Sequence, residues 1–181
     1  AMVLALNHPE IFESLAVLDI APVTYTASNN AAWADVVRVV DACARLPIDT
    51  ISERAQAEQH LKATVPDAVM RAFVLTNIMP TSAGGLEWRI NVRAISASMS
   101  EIEGFPYEPD GELQYPRQSF FIAGGKSTFL KSAHVSSIQA FCPTFTIAKI
   151  KDAGHWIHTE KPDDTLALVG RFLDEHSLGD P

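Results

Sequence analysis

Near the C-terminal end, the run Lys149-Ile150-Lys151-Asp152-Ala153-Gly154-His155-Trp156-Ile157-His158-Thr159-Glu160-Lys161-Pro162 places a histidine directly after a glycine. A β-branched and apolar stretch, Thr144 to Ile150, precedes it, and an amphipathic pattern follows. This spacing predicts a strand, a tight loop carrying His155, and a helix. In open α/β sheets the C-terminal strand edge is where ligands bind. An imidazole there can take a proton and return it, the work of a general acid–base. His158 stands three residues on and suggests a metal-binding pair. A metal needs a third ligand nearby, and the sequence offers none, so no metal is expected.

Asp19 closes the run Ser14-Leu15-Ala16-Val17-Leu18-Asp19-Ile20, at the same predicted sheet edge. A carboxylate in that place can orient an imidazole and stabilise its cation, as the third member of a triad does. It can equally cap local backbone ahead of Ala21 and Pro22. Position alone leaves both roles open. Gly124-Gly125-Lys126-Ser127-Thr128 resembles two motifs and completes neither. A phosphate loop requires glycine where Phe120 stands, and a Gly-x-Ser-x-Gly elbow requires glycine where Phe129 stands. The simpler reading is a strand-to-helix turn with a Ser or Thr cap. No convincing nucleophile therefore accompanies His155. Elsewhere Trp88, Arg89 and Asn91 cluster beside a turn. Arg89 can meet a substrate carboxylate or phosphate, or pin its segment by an ion pair.

The elements that must position these residues follow from the hydrophobic pattern. The chain has 181 residues, 47% of them hydrophobic, enough for one domain with a real core. A formal net charge of −8, with scattered lysines and arginines, disfavours nucleic-acid binding. Cys43 and Cys142 fall within helical patterns far apart and read as buried thiols. No apolar run is long enough to span a membrane.

Ala1 to Leu6 reads as apolar helix without a cap, ended by Pro9. A chain starting in mid-helix is expected to be the C-terminal portion of a larger protein. Ser14–Ile20 reads as a buried parallel strand. Helices are predicted over Ala31–Leu46, Ile51–Lys62 and from Pro66, the last with Val69, Met70, Phe73, Val74, Asn77 and Ile78 on one face. An extended Leu86–Ile90 follows, then a helix over Asn91–Ile102 and a proline-rich loop. After these come a strand at Gln118–Ala123, a helix over Ser127–Phe141, the Thr144–Ile150 strand and a last helix with Leu166, Val169, Phe172 and Leu173 inward. Strands alternating with helices predict an α/β fold with a parallel sheet. On these grounds residues 1–23 and 117–181 form the core, and 24–116 form a helical cap inserted between them.

Four blocks of this chain resemble the α/β-hydrolase fold family, and within it the branch of bacterial acyl-esterases and the mitochondrial abhydrolase-domain-eleven proteins. They are Leu18-Asp19-Ile20-Ala21-Pro22-Val23, Glu87-Trp88-Arg89-Ile90-Asn91-Val92, Phe121-Ile122-Ala123-Gly124-Gly125-Lys126-Ser127 and Ala153 to Pro162. The last is the most specific, and the likeness spans nearly the whole chain. It implies a Ser-His-Asp hydrolase of carboxylic esters or acyl thioesters that needs no cofactor. His155 matches the base. Many members keep their acid near the position of Ser127; in this branch it follows the preceding core strand, which matches Asp19. Trp88, Arg89 and Trp156 are the expected substrate contacts.

The resemblance further implies that Ala1–Leu6 is the body of the helix behind the nucleophile, so that serine and oxyanion hole lie upstream. The chain alone is then expected to be inactive and to need that segment, without which the Ser14–Ile20 strand exposes an apolar edge. A cytoplasmic or mitochondrial-matrix location follows by resemblance only. Two other readings stay open: a non-catalytic module of the same fold that binds a ligand or protein, and a self-sufficient chain with Ser127 as nucleophile and Asp152 as acid.

Overall fold

The apolar opening hexapeptide is helix α1 (Met2–Asn7), and Pro9 begins the single 3-10 turn that follows. Strand β1 (Leu15–Leu18) is shorter than its apolar run, because Asp19 turns to a φ of 51° and leaves extended space. A computed structural model describes residues 1–176, which divide into a core unit (1–24 and 105 onward) and a helical unit (25–104). Residues 177–181, assigned to the core on sequence grounds, lie outside the described residues.

In the helical unit, α2 (Ala31–Arg45) starts where the Asn30 side chain accepts the Trp33 amide, an N-cap. Helix α3 (Arg54–Leu61) begins three residues later than expected, since Glu53 and Gln56 form a reciprocal capping box. Helix α4 (Ala68–Leu75), capped by Asp67, corrects its predicted face: Val69 is 79% exposed and Phe73 is half-exposed. Buried Arg71 explains this. Its Nη1 donates to the carbonyls of Val65 and Pro66, and residues two positions away lie roughly 200° around the helix.

Ile78 is not helical. It opens strand β2 (Ile78–Pro80), which pairs antiparallel with β3 (Leu86–Trp88), a hairpin unforeseen in the insertion. Its loop carries Gly84 and Gly85 at positive φ. The expected helix over Asn91–Ile102 is two helices, α5 (Val92–Ala97) and α6 (Met99–Ile102), broken at Ser98.

The core sheet joins β1 to β4 (Ser119–Gly124) and β5 (Phe145–Ile150), all parallel, in the order β1-β4-β5. Every residue of β4 is buried. Phe121 and Ala123 pack on one face with Leu6 and Ile138, while Phe120 and Ile122 pack on the other with Ile157 and Phe172. That alternation covers a central parallel strand on both sides. Residues 105–116, grouped with the insertion on sequence grounds, pack with the core: Tyr115 is fully buried, and its Oη donates to the Phe12 carbonyl.

The helix expected from Ser127 starts only at α7 (Val135–Phe141), after a 3-10 turn at Ser132–His134. Ser127 Oγ accepts the Phe129 amide, a local bond that competes with helix formation. Cys142 lies just past α7, and both cysteines are buried and free. The chain continues through α8 (Ile157–Glu160) into α9 (Pro162–His176). In α9, Leu166 is 72% exposed and Leu173 is also exposed, against expectation. Thr165 takes the inward place, its hydroxyl donating to the Ile157 and Lys161 carbonyls.

Candidate functional site

The C-terminal ends of all three core strands meet at Asp19. Its left-handed backbone is one that Asp tolerates better than most residues. The Asp19 amide still donates to the Ile122 carbonyl, so the turn begins without wasting a sheet bond. The side chain is fully buried. Oδ1 accepts the Gly124 amide at 2.8 Å, and Oδ2 lies 2.8 Å from His155 Nδ1. A buried carboxylate without partners would be costly; this one has a donor on each oxygen.

His155 stands on a loop braced by backbone. Asp152 has a φ of 62°, Gly125 N–H donates to the Ile150 carbonyl, and Lys126 N–H donates to the Ala153 carbonyl. The Gly154 amide donates to Glu160 Oε2 at 2.7 Å. A Cβ on Gly124 would lie 2.0 Å from the Gly154 carbonyl oxygen, and one on Gly154 would lie 2.7 Å from Glu160 Oε1. The first clash is with backbone, so Gly124 is needed for the two loops to touch; the second is with the end of a side chain that can move.

A carboxylate only accepts, so the bond to Asp19 requires hydrogen on Nδ1, and Nε2 of the neutral ring keeps the lone pair. Nε2 makes no hydrogen bond among the described residues, and the side chain is 40% exposed. One face of the ring lies against Phe129, with centroids 4.1 Å apart and planes 32° apart. The imidazole can therefore take a proton from a hydroxyl or water that reaches Nε2.

Other residues fall in two places. Trp156 follows His155 in the core unit and stacks on His158, which leaves His158 away from any ligand cluster. No three metal-ligating side chains gather among the described residues. Trp88 and Arg89 belong to the helical unit. Trp88 pairs with Ile78 and lines a cavity of about 120 Å³ there, while the Arg89 amide donates to the Asn77 carbonyl. Ser127 Oγ is engaged with Phe129, and Asp152 forms an exposed 3.6 Å ion pair with Lys126. Burial raises the Cys43 thiol to about 11 and also raises Cys142, so neither is a ready thiolate at neutral pH. Gly124, Phe129 and Glu160 were not foreseen as site residues. Glu160 stood in the specific C-terminal block, and Gly124 in the glycine pair; Phe129 carried no signal beyond breaking a motif.

No family model matches the chain. It is 33% identical over 174 residues to the sn-1-specific diacylglycerol lipase ABHD11 of Mus musculus, covering 96% of this chain and 55% of that protein. Against esterase YbfF of Escherichia coli the identity is 27% over 164 residues, covering 90% of this chain and 58% of that protein. Among solved structures, a marine microorganism esterase superposes with a TM-score of 0.87 at 23% identity, over 96% of this chain and 65% of that one. The chain thus spans little more than half the length of the curated relatives it matches. No described helix is long and apolar enough to cross a membrane.

Proposed function

The chain belongs to the α/β-hydrolase fold family, and from that premise we propose that Asp19 and His155 are the acid and base of a Ser-His-Asp hydrolase of carboxylic esters or acyl thioesters. The observation that carries this reading is the 2.8 Å contact between a fully buried carboxylate and His155 Nδ1, with Nε2 making no hydrogen bond among the described residues. Relatives named as a lipase and an esterase favour an ester as substrate.

The roles follow from the geometry. A serine hydroxyl attacks the acyl carbonyl while His155 Nε2 takes its proton. Asp19 holds the ring and stabilises the imidazolium. The same nitrogen returns the proton to the leaving alkoxide or thiolate. Water, deprotonated by Nε2, then releases the acid and frees the serine.

No described serine hydrogen-bonds Nε2, and the matched relatives are much longer than this chain. We therefore assign the nucleophile and oxyanion donors to an upstream segment outside these 181 residues. This chain alone is then inactive. Trp156, beside the base, is the proposed substrate contact in the core unit; Trp88 and Arg89 are the candidates in the helical unit, which we read as the cap.

Hydrolysis of a short p-nitrophenyl ester tests this, using the chain alone and with its upstream segment restored. Activity is expected only in the restored protein and is lost in His155→Ala. Activity in the chain alone would overturn the assignment and point to Ser127. Activity in neither form would favour a non-catalytic binding module.

A further inference from the structure

We propose that Phe129 is a positioning residue for His155, and that Ser127 serves it by locking the loop that carries it. The inference rests on the reading of His155 as the base.

One hydrogen bond to Asp19 fixes one ring nitrogen but leaves the imidazole free to swing about that contact. A general base must aim Nε2 at a single point, so a second restraint is required. Phe129 supplies a flat one. The residue is 4% exposed, and its ring centroid lies 4.1 Å from that of the imidazole, with the planes 32° apart. An aromatic face there blocks rotation, keeps water from one side of the Asp19 bond, and attracts the ring more strongly once it is cationic.

The loop after β4 is built to hold that face. The Ser127 amide donates to the Gly124 carbonyl, and Ser127 Oγ accepts the Phe129 amide at 3.1 Å. Leu130, the next residue, is buried in the core cluster, and His134 hydrogen-bonds the Phe129 backbone. The same loop reaches the acid, because the Gly124 amide donates to Asp19 Oδ1. A closed circuit results: Asp19, Gly124, Ser127, Phe129, His155 and back to Asp19. One short loop after a single strand grips both partners of the proton relay. The Gly-Gly-Lys-Ser stretch, which completes neither a phosphate loop nor a nucleophile elbow, gains a role as this grip.

The test uses the protein with its upstream segment restored and compares Phe129→Leu, Phe129→Tyr and Ser127→Ala with the unchanged chain. Two quantities are read: the kcat and KM of p-nitrophenyl ester hydrolysis, and the downfield proton resonance of His155 Nδ1–H. Phe129→Leu keeps the apolar volume and removes the ring. It should lower kcat roughly tenfold with KM within about twofold, and broaden the Nδ1–H signal by exchange with water. Phe129→Tyr keeps the ring and should retain both. Ser127→Ala should show the same pattern more weakly, a few-fold loss in kcat.

Unchanged kcat and an unchanged resonance in Phe129→Leu would overturn the proposal, as would equal impairment in Phe129→Tyr. Complete loss of activity in Ser127→Ala would overturn Ser127 as a lock and make it the nucleophile. The resonance exists whether or not the protein turns over an ester. A silent assay with a responsive signal would thus sink the hydrolase reading and leave the positioning role standing.

Discussion

The core unit and the helical unit both bury a charged side chain, and they use it differently. In the helical unit Arg71 reaches back five and six residues to the carbonyls of Pro66 and Val65, so it closes the turn before its own helix. In the core unit Asp19 reaches 105 residues forward to Gly124 and 136 to His155. The first bond solves a local problem of unsatisfied carbonyls. The second ties three strand ends together at a point where no folding need demands a charge. Backbone exceptions divide the same way. The only non-glycine residues at positive φ among those described are Asp19 and Asp152, both at this edge. Strain and buried charge gathered in one place favour the proposed chemistry, whereas a charge that serves its own turn favours a structural role.

The most severe way to test that distinction is Asp19→Asn in the protein with its upstream segment restored. Asparagine accepts the left-handed backbone, so the turn survives. Its amide offers one acceptor where two donors wait, the Gly124 amide and His155 Nδ1–H. Losing the negative charge should cut kcat by on the order of 10³ to 10⁴. The folding cost should be far smaller, about 1–3 kcal/mol for one donor left bare. Steady-state kinetics beside a thermal melt separate the two. A stability loss large enough to account for the lost rate would make Asp19 a structural residue like Arg71.

A glycine pair sharpens the contrast on the scale of folding alone. An alanine Cβ at Gly124 would sit 2.0 Å from the Gly154 carbonyl oxygen, so backbone must move. Gly124→Ala should cost about 3 kcal/mol, as overpacked sites do, and should displace the His155 loop with it. Gly104, in the helical unit, has its nearest neighbour at 3.8 Å, ordinary contact. Gly104→Ala should be neutral, or stabilising by up to about 1 kcal/mol through the unfolded chain. Denaturant midpoints of the two variants would decide it. Equal costs would mean that the close approach at Gly124 is readily relaxed.

The same division governs what could be read from residue order. The parallel α/β core was legible, because buried strands such as Phe120–Ala123 are nearly continuous apolar runs between turn signals. The Gly154-His155 loop was legible for the same reason, as was the position of Asp19 at a strand end. That Asp19 would face His155 was among the expectations, but its positive φ and its bond from the Gly124 amide were not, since that donor is a backbone amide on another strand. Phe129 was hidden because its contact depends on a helix that fails to start at Ser127. In α4 and α9 the apolar stripe was misread for a single reason. Arg71 and Thr165 turn inward to satisfy carbonyls, and the pattern of hydrophobic residues assumes that polar ones face water. Short pairings such as β2 with β3 escape the pattern too, being three residues each.

The smallest expected effect sets the two cysteines against each other through pH. Burial raises the Cys43 thiol from 9.0 to about 11, and nothing opposes it. Cys142 in the core is raised by burial as well, but a hydrogen bond with Ser119 pulls it back. A raised thiol keeps its proton in the folded protein at a pH where the unfolded chain has already lost it. Above pH 9 the unfolded state therefore binds fewer protons, and stability falls as pH rises toward 11. Two pKa units set an upper bound of about 3 kcal/mol for Cys43. Cys43→Ala leaves a small void that lowers stability at every pH, and it should flatten the decline between pH 9 and about 11. Lysine and tyrosine titrations are common to both proteins and cancel in the difference. Cys142→Ala should flatten the decline less, because Ser119 already stabilises its thiolate. If the two variants flatten it equally, the Ser119 bond carries no weight.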